Sequence, residues 1–222
     1  MGKTVLITDK DTAIGSALVE KFLSLNHKII TTLPPGKQLP SYAEKAGETI
    51  LIQTWNKTSP VAARNLLLSG CNAFGSIDEF YLTFSPKRSE LPFHDLSLGS
   101  IEERADTGFK GPMILAREIL QYLRKQGKGM LAFVLHNPET NVRTAVESAA
   151  GGAFLEFSRG ILEQYQDQDF TVTAFQSENP SEEEFCRYIL LSMDERNGKL
   201  NGKFFQQGSK QPFFQFARGG PF

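Results

Sequence analysis

Seven short β-rich runs alternate with longer stretches of helical period, and this alternation constrains the fold more than any other feature of the chain. The runs are TVLIT (4–8), KIITT (28–32), ETILIQT (48–54), EFYLTF (79–84), GMLAFVL (129–135), FTVTAF (170–175) and GKFFQ (202–206). They lack clean polar/apolar alternation, which is the pattern of parallel strands buried on both faces. Between them apolar residues recur at three- and four-residue steps: Ile14, Ala17, Leu18, Phe22 and Leu25, then Ile114, Ile119, Leu120 and Leu123. The longest such pattern is Val142, Val146, Ala149, Ala150, Ala153, Phe154, Phe157 and Ile161. Parallel neighbours need a crossover, and that crossover is right-handed, so strand–helix–strand repeated through the chain predicts a doubly wound parallel α/β sheet of seven strands.

Composition narrows the function classes. No Pro/Gly/Ser-rich linker divides the 222 residues, so residues 1–222 read as a single domain. A net charge of -1 and a pI near 6.3 supply no basic footprint for nucleic acid or acidic membranes. No apolar run approaches the roughly 20 residues needed to span a bilayer. Cys71 and Cys186, the two cysteines, lie far apart in apolar segments and read as reduced thiols, so a cytoplasmic location is expected. His27, His94 and His136 show no metal-ligand spacing, and no metal is expected.

In a doubly wound sheet ligands sit beyond the carboxyl ends of the strands, and the first strand-to-helix turn holds a pyrophosphate on glycines and on the helix N-terminus. That turn is TDKDTAIG (8–15). With Thr8, Ile14 and Gly15 in place, its pattern resembles the T-G-x-x-x-G-I-G phosphate loop of the short-chain dehydrogenase/reductases, a Rossmann-like family, but Asp9 and Ala13 stand where glycines are expected. Gly75 to Asp78 before EFYLTF resembles the family's G-x-I-D lead into its fourth strand. LNGKFFQQG (200–208) resembles its closing strand, and FSRGILEQY (157–165) the second half of its active-site helix.

The resemblance implies a tyrosine acid/base, a lysine four residues later, a serine on the fifth strand and an asparagine on the preceding helix. Anchored on Phe157, the tyrosine and lysine positions fall at Glu147 and Gly151; the serine falls near Leu135 or His136, and the asparagine at Gly108. All four roles are vacant, and neither Tyr165 nor Tyr188 is followed by a lysine four residues on. The cofactor side departs as well. Phe84, Ser85, Pro86 and Lys87 replace the expected N-N-A-G, TTLPPGK offers only Lys37 to a ribose, and Trp55 stands in the adenine slot. Between the sixth strand and the last helix the family inserts a substrate lid, whereas here FTVTAF runs through QSENPSEEEF straight into the helix.

A carboxylate at position 9 repels pyrophosphate, and its Cβ narrows the backbone freedom that glycine supplies. Asp9 or Asp11 is expected to serve as the helix N-cap in place of a phosphate. The chain is therefore expected to bind no cofactor, NAD residing instead in an active family subunit with which it pairs. Helices near 101–125 and 144–165 carry the expected contact, AAGGAF (149–154) allowing close approach. Phe204, Phe205, Phe213, Phe214, Phe216 and Phe222 add an apolar tail. Two rival expectations stand beside this one. In the first, a divergent NAD(P)-dependent reductase uses His136 and Glu147 as a new acid/base pair. In the second, the chain is a regulatory homo-oligomer without enzymatic activity.

Overall fold

The computed structural model describes residues 2–37, 49–85, 91–138, 145–195 and 200–208. Its strands are β1 (Thr4–Ile7), β2 (Lys28–Leu33), β3 (Ile50–Thr54), β4 (Glu79–Phe84), β5 (Met130–His136), β6 (Thr171–Ser177) and β7 (Lys203–Gln207). All pair in parallel in the order β3-β2-β1-β4-β5-β6-β7. The helices are α1 (Ala13–Ser24), α2 (Pro60–Phe74), α3 (Leu98–Ala105), α4 (Gly111–Gln126), α5 (Ala145–Tyr165) and α6 (Glu182–Glu195). A 3₁₀ turn spans Phe93–Asp95, and a π-helical segment, Asp106–Lys110, joins α3 to α4.

The missing alternation in the strand sequences has its cause here, because both sheet faces are covered. Leu6, Phe80, Leu82, Leu131, Phe133 and Leu135 pack toward α2, α4 and α5, with Leu66, Leu115, Ile119 and Phe154 closing that layer. The alternate positions Val5, Ile7, Tyr81, Ala132 and Val134 pack toward α1 and α6, against Leu18, Phe22, Phe185 and Ile189. Each large apolar side chain buried in this way stabilises the fold by about 1.5–3 kcal/mol before entropy is counted.

Local chemistry sets the helix ends. Thr12 caps α1 by accepting the Gly15 N–H at 3.1 Å; Ser59 caps α2 from Ala62, with Pro60 at its first turn. Gly127 closes α4 at φ +68°. Strand order reverses at β1, with β2 on one side and β4 on the other, so the crevice beyond their carboxyl ends is the topological switch point. Four residues, 178–181, separate β6 from α6. Val142 and the phenylalanines at 213, 214, 216 and 222 lie outside the described residues, whereas Phe204 and Phe205 belong to β7.

Candidate functional site: the crevice at the carboxyl ends of the strands

A crevice of about 470 Å³ opens at the switch point between the β1–α1 turn, Trp55 to Thr58 after β3, Phe84 and Ser85 at the end of β4, and the facing parts of α3, the π segment and α5. Asp9 anchors its first wall. It sits at φ +54°, in the left-handed region where glycine is at ease and aspartate is tolerated. Its N–H donates to Thr32 Oγ1 at 2.9 Å, and its carbonyl accepts from Thr12 N at 2.9 Å and Thr12 Oγ1 at 2.8 Å. Gly15 lies hard against this turn: a Cβ there would stand 2.2 Å from the Asp9 carbonyl oxygen. The turn is thus tight and hydrogen-bonded at both Asp9 and Gly15.

The side chains do something different from the expected N-cap. Thr12, not Asp9 or Asp11, caps α1, because its hydroxyl reaches Gly15 N while both carboxylates find cations. Asp9 Oδ2 bonds Lys57 Nζ at 2.8 Å, and Asp11 Oδ2 bonds Lys37 Nζ at 2.9 Å. Lys57 also lies over the buried Trp55 ring, 5.2 Å from its centroid. Ala13 presents an exposed methyl at the first position of α1.

The second wall is built by α5 packing on the π segment. Glu147 is 6% exposed and ion-paired with Arg104 of α3, Oε1 to Nη1 at 2.8 Å. Burial holds such a carboxylate only where a cation compensates it, which Arg104 does. Gly108 lies within the π segment, where a Cβ would come 3.0 Å from Ala150 Cβ and 3.3 Å from the Phe84 ring. A Cβ on Gly151 would meet the same ring at 3.7 Å. Phe84, stacked on Phe154 at 5.2 Å and 20°, therefore covers both glycines. A π turn at this point lets α3 and α4 continue as nearly one helix while α5 approaches closely.

His136 and Glu147 are not brought together. His136 follows the strand parity that points toward α6. Its Nε2 bonds the Asn179 carbonyl oxygen at 2.9 Å, and its ring stacks on Phe185 at 5.6 Å. Leu135 points the other way, into the cluster beneath α5. Neither histidine nor tyrosine lines the crevice among the described residues. Tyr81 is fully buried on the α1/α6 face, where desolvation and then the Glu79 charge raise its phenol well above the usual range. Tyr122 belongs to α4 and accepts the Ile77 N–H, its phenol pushed up to about 12 chiefly by burial. No group of three or more described residues is placed to hold a metal ion.

Lys57 and Arg104 shape both walls of the crevice, and the sequence alone singles out neither of them. The model of the short chain dehydrogenase family matches residues 3–178. The chain belongs to that family. Among solved structures it is similar to a short chain dehydrogenase from Mycobacterium smegmatis, at 15% identity and a TM-score of 0.78, with 95% of this chain and 93% of that chain covered. A short-chain dehydrogenase from Streptomyces avermitilis matches at 14% identity and 0.73, covering 94% and 89%. A dehydrogenase/reductase from Sinorhizobium meliloti 1021 matches at 14% and 0.74, covering 92% and 93%. At these identities the likeness speaks to fold, which it supports along nearly the whole chain. No described helix is long and apolar enough to cross a membrane.

Proposed function

We propose that this short-chain dehydrogenase chain is catalytically silent and acts as a subunit that pairs with an active family member in a heteromeric NAD-dependent oxidoreductase of alcohol or hydroxyacyl-CoA dehydrogenase type. The observation that carries the reading is the pair of ion pairs across the crevice, Lys57–Asp9 on one wall and Arg104–Glu147 on the other, with Phe84 laid over Gly108 and Gly151 between them. The residues do not fit a nicotinamide dinucleotide. The Asp9 carboxylate stands at the loop where pyrophosphate would approach, and Glu147 in its ion pair is no phenol acid. With only residues 178–181 between β6 and α6, that connection carries no lid.

The surfaces support the pairing half of the reading. On the outer side of α5, Gly152 and Gly160 face open space, a Cβ added at either meeting nothing within 4 Å, and Ala149 is exposed beside them. Leu98 at 80% exposure, Phe109 and Met113 are exposed large apolar side chains on α3, the π segment and the start of α4. The free thiols Cys71 and Cys186 accord with a reducing cytoplasm.

Two experiments test the two halves. Calorimetric titration of the purified chain with NAD and NADP is expected to give no saturable heat at micromolar concentrations, and a micromolar dissociation constant would sink the silent reading. Co-expression with a family member that retains its tyrosine and lysine is expected to yield a co-purifying complex. Gly152→Trp should abolish that complex without unfolding the chain, because the position has room for a side chain. Native mass measurements showing only self-association would instead favour a regulatory homo-oligomer.

A further inference from the structure

A second cleft lies at the amino end of the sheet, the opposite end of the strands from the crevice, between α1 and α6. Its volume is about 330 Å³, within the lower range of small-molecule pockets. Phe22, Leu25, Leu190, Leu191 and Met193 form its apolar walls. Leu25 and Leu191 are 46% and 50% exposed, large aliphatic side chains left half in water.

The polar groups of this cleft are unevenly matched. At its base Glu79 is buried and already satisfied, ion-paired with Lys3 and accepting the Tyr81 hydroxyl at 2.9 Å. His27 Nδ1 accepts the Lys3 backbone N–H at 2.9 Å. Lys21 of α1 and Arg187 of α6 also line the cleft, and neither has an ion-pair partner among the described residues. Asp194 is the one further acid in the lining, so Lys3, Lys21 and Arg187 outnumber the acids of the cleft. An apolar trough with two unpaired cations at its border and a neutralised acid at its base complements a ligand with an apolar body and an anionic head.

We propose that this cleft binds an amphipathic carboxylate of medium chain length, its head group on Lys21 and Arg187 and its chain along Phe22, Leu190 and Met193. The site owes nothing to the crevice, so it holds whether or not the chain binds a dinucleotide.

Octanoate, titrated by calorimetry and by ligand-observed NMR, is the probe, with octanol and octylamine as head-group controls. The expected result is saturable one-to-one binding of octanoate, at least about ten-fold weaker binding of octanol and none of octylamine. The double variant Lys21→Gln/Arg187→Gln should weaken octanoate by about ten-fold or more. Both side chains are on the surface, so the variant is expected to keep its unfolding midpoint, and Asp9→Ala in the crevice should leave octanoate binding unchanged. Equal binding of octylamine, an undiminished double variant, or no saturable octanoate binding at millimolar concentration would each overturn the proposal. A loss of octanoate binding in Asp9→Ala would also overturn it, since the ligand would then sit in the crevice.

Discussion

The two walls of the crevice are held in different ways. On the β1–α1 wall a hydrogen-bonded turn sets the geometry: Asp9 holds a left-handed φ of +54°, Gly15 is packed against its carbonyl, and Thr12 caps the helix. On the α5 wall side-chain packing sets it, with the Phe84 ring over Gly108 and Gly151 and Arg104 paired to Glu147. A wall set by its backbone can be altered one side chain at a time. A wall set by packing can be changed only by opening a cavity, because interiors at crystal-like density do not accommodate new groups without displacement.

The contrast is sharpest where a single atom is added to the first wall or an entire ring is removed from the second. Gly15→Ala would set a Cβ 2.2 Å from the Asp9 carbonyl oxygen, a clash with backbone that cannot be relieved by a rotamer change. A loss of about 4 kcal/mol is expected in denaturant unfolding, and a loss under about 1 kcal/mol would mean the turn is looser than its hydrogen bonds indicate. Phe84→Ala on the second wall removes the ring stacked on Phe154. About 3 kcal/mol should be lost, as for other large-to-small aromatic changes. Gly108→Asn alone should also destabilise, whereas Gly108→Asn combined with Phe84→Ala should recover part of that loss. Strict additivity of the two would break the claim that the ring occupies the space beside Gly108.

Much of this architecture is legible in the sequence, and the places where it is not have physical causes. The strand runs locate all seven strands to within one or two residues, because burial on both faces enforces unbroken β-branched and aromatic stretches such as Ile29 to Thr32 and Phe80 to Phe84. What packs around Glu147, Gly151 and Gly108 cannot be located in the same way. Phe84 reads as the last residue of a strand, and its ring reaches α5 only through the pairing of β4 with β5. Lys57 and Arg104 are ordinary surface cations by pattern, and each acquires meaning from a carboxylate 48 or 43 residues away. The N-cap is misplaced in the sequence for a similar reason: it is expected at Asp9 or Asp11, but both acids pair with Lys57 and Lys37, and the Thr12 hydroxyl takes the cap.

The back of the first wall offers a pH-dependent readout. Cys186 of α6 lies against α1, its thiol 3.9 Å from the Ala17 carbonyl oxygen, and burial raises it from 9.0 to about 11. An acid whose folded value lies above its unfolded value is ionised first in the unfolded chain, so the unfolded state binds fewer protons and stability falls as pH rises. The loss should begin near pH 9, the unfolded value, and level off above about pH 11, amounting to about 3 kcal/mol. Cys186→Ala should flatten that part of the stability profile measured from pH 8 to 11. An unchanged slope would show that α6 does not seal this thiol against α1.

The smallest expected effect is the most informative about how the first wall changed. Asp9→Gly removes a residue that tolerates the left-handed region and substitutes the one that prefers it, so relief of local strain offsets the loss of the Lys57 ion pair. The pair is partly exposed, its side chains at 20% and 12%, which places its contribution at about 1 kcal/mol or less. A net change within about 1 kcal/mol is therefore expected for Asp9→Gly. Asp9→Val keeps the loss of the ion pair and adds a β-branched side chain at φ +54°, so it should cost clearly more, about 2 kcal/mol. If valine and glycine were tolerated equally, the turn would not hold the left-handed conformation, and the two walls would then differ less than their geometry indicates. If glycine were as damaging as valine, the Lys57 pair rather than the backbone would be what fixes the turn, and the first wall, like the second, would depend on its replacement side chains.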